Sequence, residues 1–254
     1  MRKLLLLLGL LSIVFVTPAF ADVLGVRLSG GAFDYSVSGT LRDDPDPANT
    51  FDVKTDLGWK DGTSGMAYLY FEHPIPIIPN IRLGVTSLKL GGTGTVTGTY
   101  TYNGTTFPIN DSVTSNVDLS HTEVALYYEV LDTVVGLDLG VNVKLFNGQA
   151  SIVDNDNPAL TATSNINETI PMLYGALSVQ IPGTGFSLLG DFSAISYNDS
   201  KITDYLVRVR YDTSFMLGAE LGYRSIHIDY QDSGSNQYYK LDAKGPYLMA
   251  TLSF

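Results

Sequence analysis

The sequence has no cysteine. A secreted chain of this size therefore has no disulfides, and neither thiol chemistry nor a thiolate metal site is open to it. It has only three histidines, so any imidazole-based active site is confined to three places. Beyond residue 21 no long apolar run remains. In lipid, only helices and closed barrels satisfy every backbone polar group. If this chain enters a membrane, it does so as a barrel. Positive charge is scarce as well: 15 Lys and Arg stand against 26 Asp and Glu, a formal net charge of −11. That balance argues against nucleic acid as a partner.

What is present begins with a leader. Arg2 and Lys3 precede an apolar run over residues 4–16, and Ala19-Phe20-Ala21 follows. A basic start, a short apolar core and an A-x-A site are the marks of a secretory signal peptide. Cleavage is expected at the site made by Ala19 and Ala21, leaving a mature chain from Asp22 with net charge −13. The absence of a cysteine there excludes a lipoprotein anchor. Two segments follow from this: a signal peptide over 1–21 and one barrel domain over 22–254.

The clearest stave is residues 134–145. Val135, Leu137, Leu139, Val141, Val143 and Leu145 alternate with Gly136, Asp138, Gly140, Asn142 and Lys144. A strand sends successive side chains to opposite faces, so one face is wholly apolar and the other small or charged. At ~3.3 Å per residue, and tilted by roughly 40°, such a segment crosses a hydrocarbon layer of about 25 Å. Leu139 is expected to face lipid and Asn142 the lumen. The near-neutral mean hydropathy of +0.11 fits a wall whose two faces average out.

The same reading along the chain predicts an all-β fold: a transmembrane, antiparallel, up-and-down barrel of ten strands, with eight as the alternative if two pairs are misread. Strands are placed at 23–38, 66–72, from 81, 116–130, 134–145, 170–181, 186–197, 205–212, 215–230 and 238–254. Residues 41–65, which include Asp43, Asp44 and Asp46, are expected to form an external polar loop, broken by Pro45 and Pro47. Residues 154–167 are read as a second polar loop and 198–201 as a short one. The Gly/Thr-rich stretch 91–106 is read as a hairpin above the membrane, turning at Asn103-Gly104. A shift in alternation near Ser225 suggests a bulge. The facing of Tyr68 and Tyr70 stays open. Tyr128, Tyr205, Tyr211 and Tyr223 fall on lipid-facing registers, as interfacial girdle residues do. Tight links after alternate strands mark one end as periplasmic.

The chain closes on Leu248, Ala250, Leu252 and Phe254, an apolar face ending in an aromatic residue. The last strand of outer-membrane barrels resembles this, and that resemblance implies an assembly signal read by the barrel-assembly machinery. Other segments carry a wider likeness: Gly25-Val26-Arg27-Leu28, Phe71-Glu72-His73-Pro74, Pro79-Asn80-Ile81-Arg82, Asp118-Leu119-Ser120-His121, Thr203-Asp204-Tyr205, Gly218-Ala219-Glu220-Leu221 and Lys244-Gly245-Pro246-Tyr247. Together they resemble an uncharacterised family of Gram-negative outer-membrane β-barrel proteins. The resemblance implies the fold and an outer-membrane location, and it brings no active site.

The inward charges are expected to be Arg27, Arg82, Glu123, Glu129, Asp138, Lys144, Asp191, Arg208, Arg210, Asp212, Glu220 and Arg224. In a narrow barrel, mixed signs can pair and fill the lumen; a polar channel for small solutes is the competing reading. No catalytic residue, metal or cofactor is expected. The expected function is that of an integral outer-membrane protein with a structural, surface-interaction or solute-passage role. Its expected partners are outer-membrane lipid, lipopolysaccharide and the assembly machinery, with a monomer favoured. The enzyme alternative is a barrel hydrolase. His227 and Asp229 share a strand face near a rim, similar in kind to the omptin proteases, although the order His-x-Asp is reversed and no omptin motif surrounds it. His121 with Glu123 is the pair a lipid deacylase would use to orient a serine. The acidic loop holding Asp43, Asp44 and Asp46 lacks EF-hand spacing.

Overall fold

The computed structural model describes residues 24–43, 46–232 and 237–254. The expected leader, with Ala19 and Ala21, lies outside them, as do Asp44 and Pro45. Among the described residues the strands are β1 (Gly25–Asp43), β2 (Phe51–Asp52), β3 (Gly62–Glu72), β4 (Asn80–Ser87), β5 (Lys89–Thr95), β6 (Tyr100–Tyr102), β7 (Thr105–Phe107), β8 (Ser112–Asp118), β9 (His121–Asp132), β10 (Val135–Asp154), β11 (Thr161–Ile181), β12 (Phe186–Tyr197), β13 (Ser200–Asp212), β14 (Leu217–Asp232) and β15 (Gln237–Ser253).

Ten staves close into an antiparallel barrel in the order β1, β3, β4, β9, β10, β11, β12, β13, β14, β15 and back to β1. The expected count of ten holds. The seam is closed at one end by reciprocal backbone bonds: Phe254 N donates to Val26 O at 2.8 Å, and Val26 N to Phe254 O at 3.2 Å. That end also carries the links 73–79, 133–134, 182–185 and 213–216 and is called the turn end below. The opposite, loop end carries 46–61, 155–160 and the excursion β5–β8.

Each stave keeps one side-chain parity along its length, yet the character of its two faces inverts partway. On β1, Arg27, Ser29 and Gly31 face inward while Leu28 lies exposed outside. Farther along, Phe33, Tyr35 and Val37 are buried inside while Asp34, Ser36 and Ser38 are exposed. On β15 the outward residues change from Lys240 and Lys244 to Leu248, Ala250 and Leu252. Toward the turn end the outer surface is apolar and the inside polar, as a lipid-facing wall requires. Toward the loop end the outer surface is polar and the inside a hydrophobic core. On β10 the lipid-facing run from Val135 to Leu145 is about 33 Å long at ~3.3 Å per residue, or about 25 Å along the normal at a 40° tilt. Leu139 is 50% exposed on that face.

This inversion corrects several expectations. There is no bulge at Ser225: β13–β14 and β14–β15 pair in unbroken register through it. The apparent change of parity is Arg224 giving way to Ile226 on the same inward face. The register shift that does occur is between β9 and β10, at Leu137/Asp138. Residues 161–167 are strand rather than loop; their outward Thr161, Thr163 and Asn165 are polar because they stand in water. β1 runs five residues beyond the expected 38, and 198–199 is a two-residue turn with Asn198 at φ 51. Tyr68 and Tyr70 both face inward and are buried.

The loop end is covered by its own segments. Within the stretch 41–65, expected to be a polar external loop, Phe51, Val53, Leu57 and Trp59 are buried. They lie against β5 through backbone contact: Gly58 has φ +66, and a Cβ on Gly92 would meet Gly58 O at 2.0 Å. The glycines of β5 are thus needed for the close approach of another backbone. The hairpin β6–β7 does turn at Asn103-Gly104, at φ 45 and 78. It does not stand free, however: Tyr100 and Phe107 are fully buried, with Tyr100 at 4.3 Å from Phe51 between ring centroids.

Candidate functional site: a charge-filled lumen below an apolar chamber

Eight of the expected lumen charges are buried: Arg82, Glu123, Lys144, Asp191, Arg208, Arg210, Glu220 and Arg224. Arg27, Asp138 and Asp212 are half-buried and Glu129 is exposed, all toward the turn end. Arg27 donates to Ser253 Oγ at 3.1 Å, and Arg210 pairs with Asp212 at 2.8 Å.

The buried charges form an alternating chain across the lumen. Arg224 Nη2 meets Asp204 at 2.8 Å, and Asp204 meets Lys144 at 2.9 Å. Lys144 contacts Glu123, and Glu123 accepts from Arg82 at 2.7 Å. Arg82 approaches Asp191 at 3.4 Å, Asp191 pairs with Arg208, and Arg208 Nε lies 3.0 Å from Glu220. Four positive and four negative groups thus cancel. Arg208 and Glu220 are close enough for Coulomb attraction but not aligned for a hydrogen bond. Each isolated charge would cost several kcal/mol to bury, so only a balanced set is tolerated here. Asn142, fully buried, donates to Ser193 Oγ at 3.1 Å. The Arg82 guanidinium stacks over Tyr174 and Tyr68, 4.7 and 5.3 Å from their centroids.

Asp204, the hub of this chain, is absent from the expected lumen set. The sequence pattern places the start of the eighth strand at Tyr205. One step back along the face of Leu206, Arg208 and Arg210 reaches Asp204, so the signal was in the alternation.

His121, Glu123 and Asp204 bring ligand atoms within 4.8 Å of one another, a spacing that suits a metal ion. Lys144 Nζ already sits among them, 3.3 Å from His121 Nε2, so a resident ammonium occupies the cation position. His121 Nδ1 donates to Leu119 O at 2.9 Å. Both ring nitrogens are therefore engaged, and neither by a serine. His227 and Asp229 do share the outward face of β14. His227 pairs with Asp242 at 2.9 Å, while Asp229 accepts from Gln231 at 3.1 Å. Asp43 accepts from Asn103 N at 3.0 Å and so anchors the β6–β7 turn.

Directly above the charge chain lies a cavity of about 550 Å³. Phe146 and Ile202 form its floor, one inward step above Lys144 and Asp204. Trp59 and Tyr100 help to roof it. Trp59 is held by its indole N–H, which donates to Ser115 Oγ at 2.7 Å. Burial pushes the Tyr100 and Tyr239 phenols above their ordinary range, so they remain neutral. Sequence reading missed the chamber because its walls come from strands far apart in the chain.

No family profile and no curated protein matches the sequence, so the family likeness rests on the quoted segments alone. Solved structures do match. The outer membrane protease OmpT from Escherichia coli is similar with a TM-score of 0.53 at 11% identity, covering 91% of this chain and 97% of its own. The transport unit of the autotransporter AIDA-I from Escherichia coli gives 0.40 at 10% identity, covering 99% and 95%. The toluene transporter TodX from P. putida gives 0.28 at 9% identity, covering 91% and 90%. At these identities the likeness concerns the fold alone, and what it shows is the closed ten-stranded barrel of outer-membrane proteins.

Proposed function

We propose that this chain is a non-catalytic protein of the bacterial outer membrane, with the turn end in the periplasm and the loop end outside. Its lumen is closed to water-soluble solutes, and its working part is the apolar chamber beneath the outer loops. The alternating chain of eight buried charges carries this reading. It fills the middle of the lumen with paired side chains, where a diffusion pore would keep water. The hydrolase alternative draws no support from the site: the imidazole of His227 is paired with Asp242 on the outer wall, and that of His121 is enclosed by Lys144. In this reading the partners are outer-membrane lipid and lipopolysaccharide against the apolar band, and the assembly machinery at Phe254 during insertion; the protein acts as a monomer. Planar-bilayer recording tests the closed lumen. The purified protein should insert without unitary current steps. Stable ohmic steps from the unmodified protein would overturn the reading.

A further inference from the structure

The barrel wall is incomplete beside the chamber. The β11–β12 ladder runs from Ile181↔Phe186 to Leu173↔Ala194 and ends there. Beyond it β11 continues for a further twelve residues, back to Thr161, paired with β10 alone. On the other side, Ile195–Tyr197 of β12 pair only with β13, and the β12–β13 hairpin stops at its two-residue turn. Pro171 lies just past the last pair and cannot donate to a ladder. The chamber reaches this gap. Residues 164–166 and 168–171 of β11 line it, and the hairpin tip adds Tyr197 and Ser200. Thr169 and Pro171 of β11 and Tyr197 of the hairpin line the void and are exposed, so it opens to the outside at this gap.

The chemistry of the opening is graded. Inside, Ile166, Ile170, Ile195, Ile202 and Ile228 are only half-buried and turn apolar surface to the void. Glu168, on the same strand face as Ile166 and Ile170, and Lys201 on the outer face are exposed at the opening, one of each sign. Just toward the turn end, Leu173 and Phe192 are exposed on the outer wall, 73% and 50%. The gap therefore begins where the apolar band ends. That position also avoids placing an unpaired strand edge in hydrocarbon, which lipid does not tolerate. The volume is several times the ~150 Å³ that admits benzene, and it lies within the usual range for small-molecule sites.

We propose that the chamber binds a hydrocarbon-like molecule, which enters sideways between β11 and the β12–β13 hairpin at the outer edge of the membrane. This rests on the reading of a closed lumen with the chamber as the working part. The charge chain forms a polar floor that stops an apolar guest, so the guest loads and leaves through the wall. Two sources share this chemistry, a membrane lipid's acyl chain and a free small hydrocarbon.

Trp59, the one tryptophan, lines the chamber and is away from the lipid-facing band, so it reports occupancy. The folded protein in vesicles is titrated with a free bromoalkane. Separately, it is placed in vesicles of phosphatidylcholine brominated on its acyl chains. Saturable quenching of Trp59 in either arm is expected, and the arm that responds identifies the source. Pro171→Cys with Ser196→Cys introduces the only two thiols in the chain, at positions that would pair two steps on if the ladder continued. After folding they are joined by a cleavable bis-maleimide. The join should slow the onset of quenching by about tenfold, and cleaving the linker should restore the rate. Ile228→Asp should weaken quenching at equilibrium in the same protein. An absence of quenching in both arms, or ready quenching by aqueous iodide, would show a chamber that takes no hydrocarbon. An unchanged rate after joining would overturn the sideways route. None of these outcomes depends on the conductance measurement, so the two readings can fail separately.

Discussion

The charge chain makes a prediction that depends on its being dry and balanced. Arg224 is its terminal cation, held by Asp204 at 2.8 and 3.1 Å and by Thr86 Oγ1 at 3.0 Å. Both charged groups are almost fully buried, at 0% and 4% side-chain exposure. Asp204→Leu removes the anion that serves both Arg224 and Lys144 and leaves four cations facing three anions. Breaking a buried pair in this way costs about 3–5 kcal/mol, because an uncompensated charge stays behind. Arg224→Met alone leaves Asp204 still paired with Lys144 and should cost less. The double variant removes the end pair and restores balance, so its loss should fall well below the sum of the singles, with a coupling of roughly 1–3 kcal/mol. The assay is reversible urea unfolding in lipid vesicles, followed by Trp59 fluorescence and by heat-modifiable electrophoretic migration. Additive losses would mean that each group is solvated independently. A water-filled lumen would then replace the closed one, and the reasoning from paired burial would fail.

Other outcomes follow from the same geometry. Leu139→Arg, on the lipid face near mid-membrane, should cost about 2–4 kcal/mol, whereas Gln149→Arg, outward but beyond the apolar band, should cost about 0–1; equal losses in vesicle unfolding would contradict the inversion of the wall. Asn142→Arg should be costly as well, because Asn142 is fully buried among paired groups. Gly92→Ala would set a Cβ 2.0 Å from Gly58 O, so the Trp59 segment should lift and its emission shift to the red; an unchanged spectrum would show that 56–59 does not rest on β5. Deleting Phe254 removes the backbone bonds to Val26 as well as the terminal aromatic, and should reduce the heat-modifiable fraction in isolated membranes. Asp61 is held below its ordinary range, first by the Lys54 ammonium and then by the Val37 N–H. Its small contribution is present above the ordinary Asp range and fades as pH falls through and below it. Asp61→Asn should therefore flatten the acid limb of an unfolding-against-pH curve.

The lipid-crossing half of this protein was legible in its sequence. Residues 134–145 declare a stave because lipid outside and polar lumen inside impose a strict period of two, and mid-barrel charges such as Arg208, Arg210 and Glu220 follow from the same alternation. Toward the loop end the local rule stayed the same while its environment reversed. Thr161, Thr163 and Asn165 read as loop, and Ile226 read as a bulge, because nothing within a strand says where the hydrocarbon stops. The pairing order of the charges, the ammonium seated among His121, Glu123 and Asp204, and the chamber with its open side were decided by tertiary structure alone. Each depends on residues brought together across the barrel, and a one-dimensional alternation records which face a side chain takes but not which partner it meets.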